Sequence, residues 1–203
     1  MNFGVSQPSN QGQAGQGRLF ILSGPSGAGK TTLCRMLRQR MADLVYSVSF
    51  TTRDPRPGET DAVDYHFLSK QDFEQGIAAG RWAEWALVHG NYYGTSAQFI
   101  DSRLAQGQDV LMDIDVQGAA KIMALRPESI TVFIMPPSLA VLEDRLRSRA
   151  SDSQSVIATR LANAAGEIAV SSRYRHVIVN HRLEDAIIAL CDLVDGYRGR
   201  REA

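Results

Sequence analysis

Apolar positions along this chain switch between two periods. Leu19-Phe20-Ile21-Leu22 is a continuous apolar run, which predicts a buried parallel strand. Leu33, Met36 and Leu37 then recur at helical spacing within Thr31–Arg40, so a helix is predicted to about Ala42. Tyr46–Phe50 alternates as a strand does, and Tyr65–Leu68 predicts another short strand. Lys70–Ala79 reads as a helix with Ser69 as its cap, Trp82–His89 as a strand, and Gly90–Gly94 as a turn. Ser96–Gln106 is helical, Asp109–Asp115 is a core strand, and Gln117–Met123 starts a further helix. Ile130–Met135 is a buried strand stopped by Pro136-Pro137, and Ser138 caps a helix carrying Leu139, Leu142 and Leu146. A polar stretch, Arg147–Ser155, breaks the pattern before helix Val156–Ser171, strand Val177–Asn180 and helix Leu183–Tyr197.

Strands alternating with helices predict an α/β fold, a mostly parallel sheet covered by helices on both faces. Between about Ser47 and Ser96 the rhythm fails, and the short polar strands there are expected to form an inserted subdomain, residues 47–96. The core then comprises residues 18–46, 97–136 and 161–203, and residues 137–160 form a lid around the polar break. Met1–Gly17 is rich in Gln, Gly, Ser and Asn and is expected to be a disordered tail.

Composition narrows the function. The 203 residues are 44% hydrophobic, enough for one full core. Lys+Arg and Asp+Glu both number 22, so no charge excess points to nucleic acid or to a membrane surface. Phosphate binding must then come from local arginines. Cys34 and Cys191 lack metal or redox spacing and read as buried thiols. No apolar run is long enough to cross a membrane, and no charged region followed by an apolar stretch opens the chain, so a cytoplasmic location is expected.

The candidate chemistry begins at Gly24-Pro25-Ser26-Gly27-Ala28-Gly29-Lys30-Thr31, which reads G-x-x-x-x-G-K-T between the first strand and the first helix. Glycines let consecutive backbone N–H groups approach phosphate oxygens, and the helix N-terminus adds partial positive charge. Residues Gly24 to Thr32 are thus the ATP-binding candidates, with Lys30 reaching the β- and γ-phosphates and the Thr31 hydroxyl ligating Mg²⁺. Asp113 closes an apolar strand, where a second acidic residue supports the Mg²⁺ shell. The inserted segment concentrates Arg53, Arg56, Tyr65, Tyr92 and Tyr93, whose guanidinium forks and hydroxyls match a phosphate. Glu84 sits between Trp82 and Trp85 and needs a donor partner if buried. A ligand with paired N–H groups or a nearby arginine would supply one, and spacing alone does not choose.

These residues resemble the guanylate kinase family over nearly the whole chain after the tail. Beyond the phosphate loop, the resemblance rests on Ser47–Glu59, on Asp64-Tyr65-His66-Phe67, on Glu84-Trp85-Ala86 with Gly90–Thr95, and on Asp113–Gly118, four blocks in the right order. It implies that Arg53, Arg56, Tyr65 and Tyr93 hold the phosphate of GMP, and that Ser49, Glu84, Thr95 and Asp115 read its guanine. It also implies a lid clamp, with Arg145, Arg149 and Arg160 joining Lys30 in neutralising the transferring phosphoryl group. The implied reaction is ATP + GMP to ADP + GDP with Mg²⁺, and homo-oligomerisation is left open. Two other classes share the fold: a non-catalytic protein-binding module, expected to have a damaged phosphate loop, and a kinase of phosphorylated sugars, expected to lack the guanine set. The chain departs from the family pattern at Ala62 and Ala150, where glycine is usual, and at Arg175-His176 and His181-Arg182.

Overall fold

The computed structural model describes residues 15–88, 90–148 and 154–199. Its first sheet has five parallel strands: β1 (Leu19–Ser23), β2 (Val45–Tyr46), β7 (Val110–Asp113), β8 (Ile130–Met135) and β9 (His176–Val179). Their order is β2-β7-β1-β8-β9. Every parallel connection needs a crossover, so helices cover both faces. The alternation of side chains along β1 assigns those faces. Phe20 and Leu22 pack with Leu33 and Leu37 of α1 (Lys30–Arg40) and with Ile187 and Leu190 of α7 (Leu183–Arg198). Leu19 and Ile21 pack with Ile100 and Leu104 of α3 (Ala97–Ala105) and with Ala119 and Ile122 of α4 (Val116–Leu125). The α/β expectation holds, and both strand-end acids fall at the carboxyl end of the sheet.

A second sheet holds the segment that broke the rhythm. Its order is β4-β3-β6-β5, with β3 (Phe50–Thr51), β4 (His66–Phe67), β5 (Trp82–Val88) and β6 (Asn91–Ser96). The expected strand Tyr46–Phe50 is in fact divided: Tyr46 pairs with Leu111 in the first sheet, and Phe50 pairs with Gly94 in the second. The chain changes sheets across Ser47–Ser49, which simple alternation cannot reveal. The expected turn Gly90–Gly94 is mostly strand β6. Gly94 lies there because a Cβ would stand 2.8 Å from the Phe73 ring. Phe73, on α2 (Lys70–Ala78), stacks between Trp82 (4.4 Å) and Tyr92 (5.1 Å) and holds this sheet together. Ser69 caps α2 as expected, accepting from the Asp72 N–H.

After β8, α5 (Leu139–Arg147) and α6 (Gln154–Ala169) pack through Leu142, Leu146, Ile157 and Ala164. Of the expected tail, residues 1–14 lie outside the described residues. Gly17 is already tied in, donating to the Leu104 carbonyl at 2.8 Å. Cys34 is buried and Cys191 half-buried, and both are free thiols. Among the described residues no helix is long and apolar enough to cross a membrane.

Candidate active site

The phosphate loop is held by its own backbone. Gly24, Gly27 and Gly29 have φ of 139°, 91° and 98°, a region that L-residues rarely enter. Space is equally restrictive. A Cβ on Gly24 would stand 2.4 Å from the Ile134 carbonyl oxygen, and one on Gly27 would stand 2.9 Å from the Leu142 side chain. Lys30 folds back along the loop, donating to the carbonyls of Gly24 (2.7 Å) and Pro25 (3.2 Å). Strand register brings the second acid to this corner, because Leu22 pairs with Asp113 across β1 and β7. Thr31 Oγ1 then donates to Asp113 Oδ2 at 3.2 Å. Burial pushes the Asp113 carboxyl up, while the Lys30 charge and the Thr31 hydrogen bond pull it back.

Beside the loop lies a cavity of about 310 Å³, lined in part by Gly29, Thr32, Arg145, Asn180 and Leu183. Asn180, just past β9, donates Nδ2–H to the Ala28 carbonyl at 2.8 Å, and its main-chain carbonyl accepts from Arg145 at 2.9 Å. Asn180 Oδ1 and one Arg145 terminal nitrogen are buried and find no partner among the described residues. Arg145 is therefore brought to the loop. Arg160 is half-buried on α6, and Arg149 lies outside the described residues. Thr32 lines the cavity, and Ser26 is exposed at the loop tip.

The second sheet gathers the other candidates. Glu84 is 7% exposed, and its Oε1 accepts the Thr95 hydroxyl at 2.8 Å across β5 and β6. No arginine meets it among the described residues. Burial pushes its carboxyl up to about 7, with the Thr95 hydrogen bond lowering it, Asp115 raising it and Lys121 lowering it. Asp115 caps α4, accepting from the N–H groups of Gln117 (2.7 Å) and Gly118 (2.9 Å). A Cβ on Gly118 would lie 2.6 Å from Glu84 Oε2, so the helix approaches the carboxylate only because residue 118 is glycine.

Arg53 lies against the Tyr65 ring, 5.4 Å from its centroid, and Tyr65 meets Tyr93 edge-on at 6.0 Å. Burial, with Asp113 adding, pushes the Tyr65 phenol up to about 12. Asp113 thus exerts its field on both halves of the site. Arg56 is exposed at the tip of the arginine loop, and Ser49 is half-buried on the segment between the sheets. Ala62, in the same region, is the one non-glycine residue with positive φ (61°) among the described residues.

Four residues of this region were not singled out by sequence reasoning. Asn180, Glu59 and Gly118 stood inside quoted segments, with no local signal of what they touch. Glu167, on α6, was not singled out. Burial raises its carboxyl, Lys30 opposes this and Asp115 adds to it, so α6 carries an acid into the field of the phosphate loop.

A strand–glycine loop–helix with its lysine, hydroxyl and strand-end acid, set against a second sheet bearing arginine, tyrosine and a buried carboxylate, defines a P-loop kinase of a small phosphorylated acceptor. Its family follows from comparison: the guanylate kinase family model matches residues 16–197, and the chain belongs to that family. It is 49% identical over 184 residues to a guanylate kinase of Idiomarina loihiensis, covering 90% of this chain and 88% of that one. It is 50% identical over 187 residues to one of Syntrophotalea carbinolica, covering 91% and 89%. The crystal structure of guanylate kinase from Anaplasma phagocytophilum superposes with a TM-score of 0.74 at 32% identity, covering 90% of this chain and 87% of that one.

Proposed function

We propose that this protein transfers the γ-phosphoryl group of ATP to the phosphate of GMP, giving ADP and GDP. The observation that carries this reading is Glu84: a buried carboxylate whose described partner is one hydroxyl, beside an intact phosphate loop. Guanine offers N1–H and the 2-amino group on one edge, which a carboxylate accepts, and O6, to which a hydroxyl donates. Ser49 supplies one hydroxyl, Thr95 supplies a second only by turning its proton from Glu84 Oε1 to O6, which leaves both Glu84 oxygens to the guanine N–H groups, and Asp115 stands next to Glu84. Adenine lacks both donors and would leave Glu84 with no partner but the Thr95 hydroxyl, a mismatch able to discriminate by roughly 10⁴.

The reaction needs no covalent intermediate on the protein. A phosphate oxygen of GMP attacks the γ-phosphorus in line, that bond forms as the bond to the β-bridging oxygen breaks, and ADP leaves with the electron pair. Arg53, Arg56, Tyr65 and Tyr93 orient the attacking phosphate. The loop N–H groups from Gly24 to Thr32 hold the donor phosphates, and the cavity at Thr32, Arg145 and Asn180 is sized for part of the donor nucleoside. Lys30, Arg145, Arg149 and Arg160 neutralise charge on the transferring group. Thr31 and Asp113 present hard oxygens to one point, which fits Mg²⁺, and the remaining ligands would come from phosphates and water. When bound, Mg²⁺ supplies charge neutralisation at the phosphates. Closure of the segments 47–96 and 137–160 over the core would exclude water as a competing acceptor. A coupled assay of ADP formation with GMP, AMP, CMP, UMP and a sugar phosphate tests the reading. Turnover confined to GMP is expected, and turnover with a sugar phosphate alone would overturn it.

A further inference from the structure

Glu59 closes the turn Arg56-Pro57-Gly58-Glu59 and is assigned no part in the reaction derived above. Its carboxylate meets the Arg53 guanidinium end-on, Oε1 to one terminal nitrogen and Oε2 to the other, both at 2.9 Å. Oε2 also accepts the Arg56 main-chain N–H at 2.7 Å, and the Glu59 N–H donates back to the Arg56 carbonyl at 3.0 Å. One carboxylate therefore fixes the side chain of one phosphate arginine and the main chain of the other. The pair is largely withdrawn from solvent, at 15% and 19% exposure, where a two-point fork holds a guanidinium plane firmly. The end-on grip leaves Arg53 Nε–H buried and without a partner among the described residues. Stacking near Tyr65 restricts the plane from a third side.

We infer that Glu59 is a positioning residue for the acceptor: it clamps Arg53 end-on so that its remaining N–H edge, together with the Arg56 side chain, is presented to the phosphate of the nucleoside monophosphate. The inference rests on the GMP reading given above. A carboxylate next to a phosphate-binding arginine could act in the opposite sense, as a competitor that the phosphate must displace. Two features favour the clamp. Glu59 takes the two terminal nitrogens, leaves Nε–H unengaged by its own carboxylate, and builds the turn that carries Arg56. Burial alone would raise the Glu59 carboxyl, yet the hydrogen bonds from Arg53 and the Arg56 N–H, and both charges, carry it below the usual range, so the clamp is ionised at neutral pH.

The test is Glu59→Gln, which keeps size and one acceptor oxygen but loses the charge and half the fork. Steady-state kinetics on the full chain should show the KM for GMP rising about tenfold, with the KM for ATP within about twofold. Arg53→Lys, whose ammonium cannot be gripped end-on by two oxygens, should make the further change Glu59→Gln nearly silent on GMP, a non-additivity that a purely structural role would not produce. An unchanged or lowered KM for GMP, equal loss for both substrates, or additive effects of the two substitutions would overturn the clamp. Wild-type turnover with GMP is measured first, and its absence would strike the function reading instead.

Discussion

The two halves of the site are made of different material. The donor half is main chain: three glycines at positive φ, loop carbonyls gripping Lys30, and no room for a Cβ at Gly24. The acceptor half is side chain: a forked ion pair at Arg53 and Glu59, an aromatic pair at Tyr65 and Tyr93, and a carboxylate–hydroxyl pair at Glu84 and Thr95. A backbone cradle recognises what every nucleoside triphosphate shares, its phosphates. In the proposed reaction side chains hold the acceptor's phosphate and also read what differs between acceptors, the base. The same division explains why one half is written in eight consecutive residues and the other is scattered from Ser49 to Asp115.

The largest effect should fall on the donor half. Lys30→Ala is expected to keep the fold by circular dichroism and to lose at least about 10³-fold in kcat, because in the proposed reaction it removes the charge that Lys30 brings to the transferring group. Near-normal turnover by a folded variant would refute its placement.

Glu84→Gln should separate the halves. It replaces one acceptor oxygen with a donor, so one guanine N–H faces an N–H, at a cost on the order of 2–4 kcal/mol. That predicts roughly 30- to 1,000-fold lower kcat/KM for GMP, with ATP little affected. Equal weakening of both substrates would make Glu84 structural. The protein also offers a pH signature. The Glu84 carboxyl titrates near 7 in the fold, with Asp115 and Lys121 as its charged neighbours, against 4.5 ordinarily. Only the ionised form accepts twice, so the KM for GMP should rise as pH falls below about 7, while that for ATP does not bend there. Stability moves the other way. The folded state holds this proton more tightly, so the Glu84 contribution is fully present below about 4.5 and is lost as pH rises through about 7. Glu84→Gln should flatten both profiles.

Gly118→Ala tests the contact between α4 and Glu84 more gently. Alanine favours a helix by about 1 kcal/mol over glycine, yet its Cβ would press on Glu84 Oε2. A rise in KM for GMP of roughly 10- to 100-fold is expected, without loss of thermal stability. A lower melting temperature with unchanged GMP kinetics would place the strain elsewhere. The smallest effect belongs to Ala62. Its φ of 61° costs an alanine about 1 kcal/mol, so Ala62→Gly should raise stability by up to about that amount in urea unfolding. A loss of stability would show that the loop gains more from a stiffer chain.

Much of this was legible beforehand, and the failures have physical reasons. Runs such as Leu19–Leu22 and Ile130–Met135 announce buried parallel strands because both faces are covered. The phosphate loop is legible because its chemistry is local. Tyr46–Phe50 misled because the chain changes sheets in mid-run, and Gly90–Gly94 misled because Gly94 makes room for Phe73, which is distant in sequence. Asn180 and Glu59 were invisible for a related reason. What matters there is the atom each one touches, and no periodicity encodes that.

Asp115 carries two duties on one carboxylate. It caps α4 through two main-chain N–H groups and stands where a base would be read. For anyone seeking to retune the enzyme toward another base, the letters of the pocket are therefore not equally editable. Glu84 and Thr95 form a self-contained pair on one hairpin and can be exchanged together. Asp115 is tied into the architecture, since replacing it would unsettle the helix that presents Gly118 to the pocket. A new specificity would have to be composed around that fixed acid.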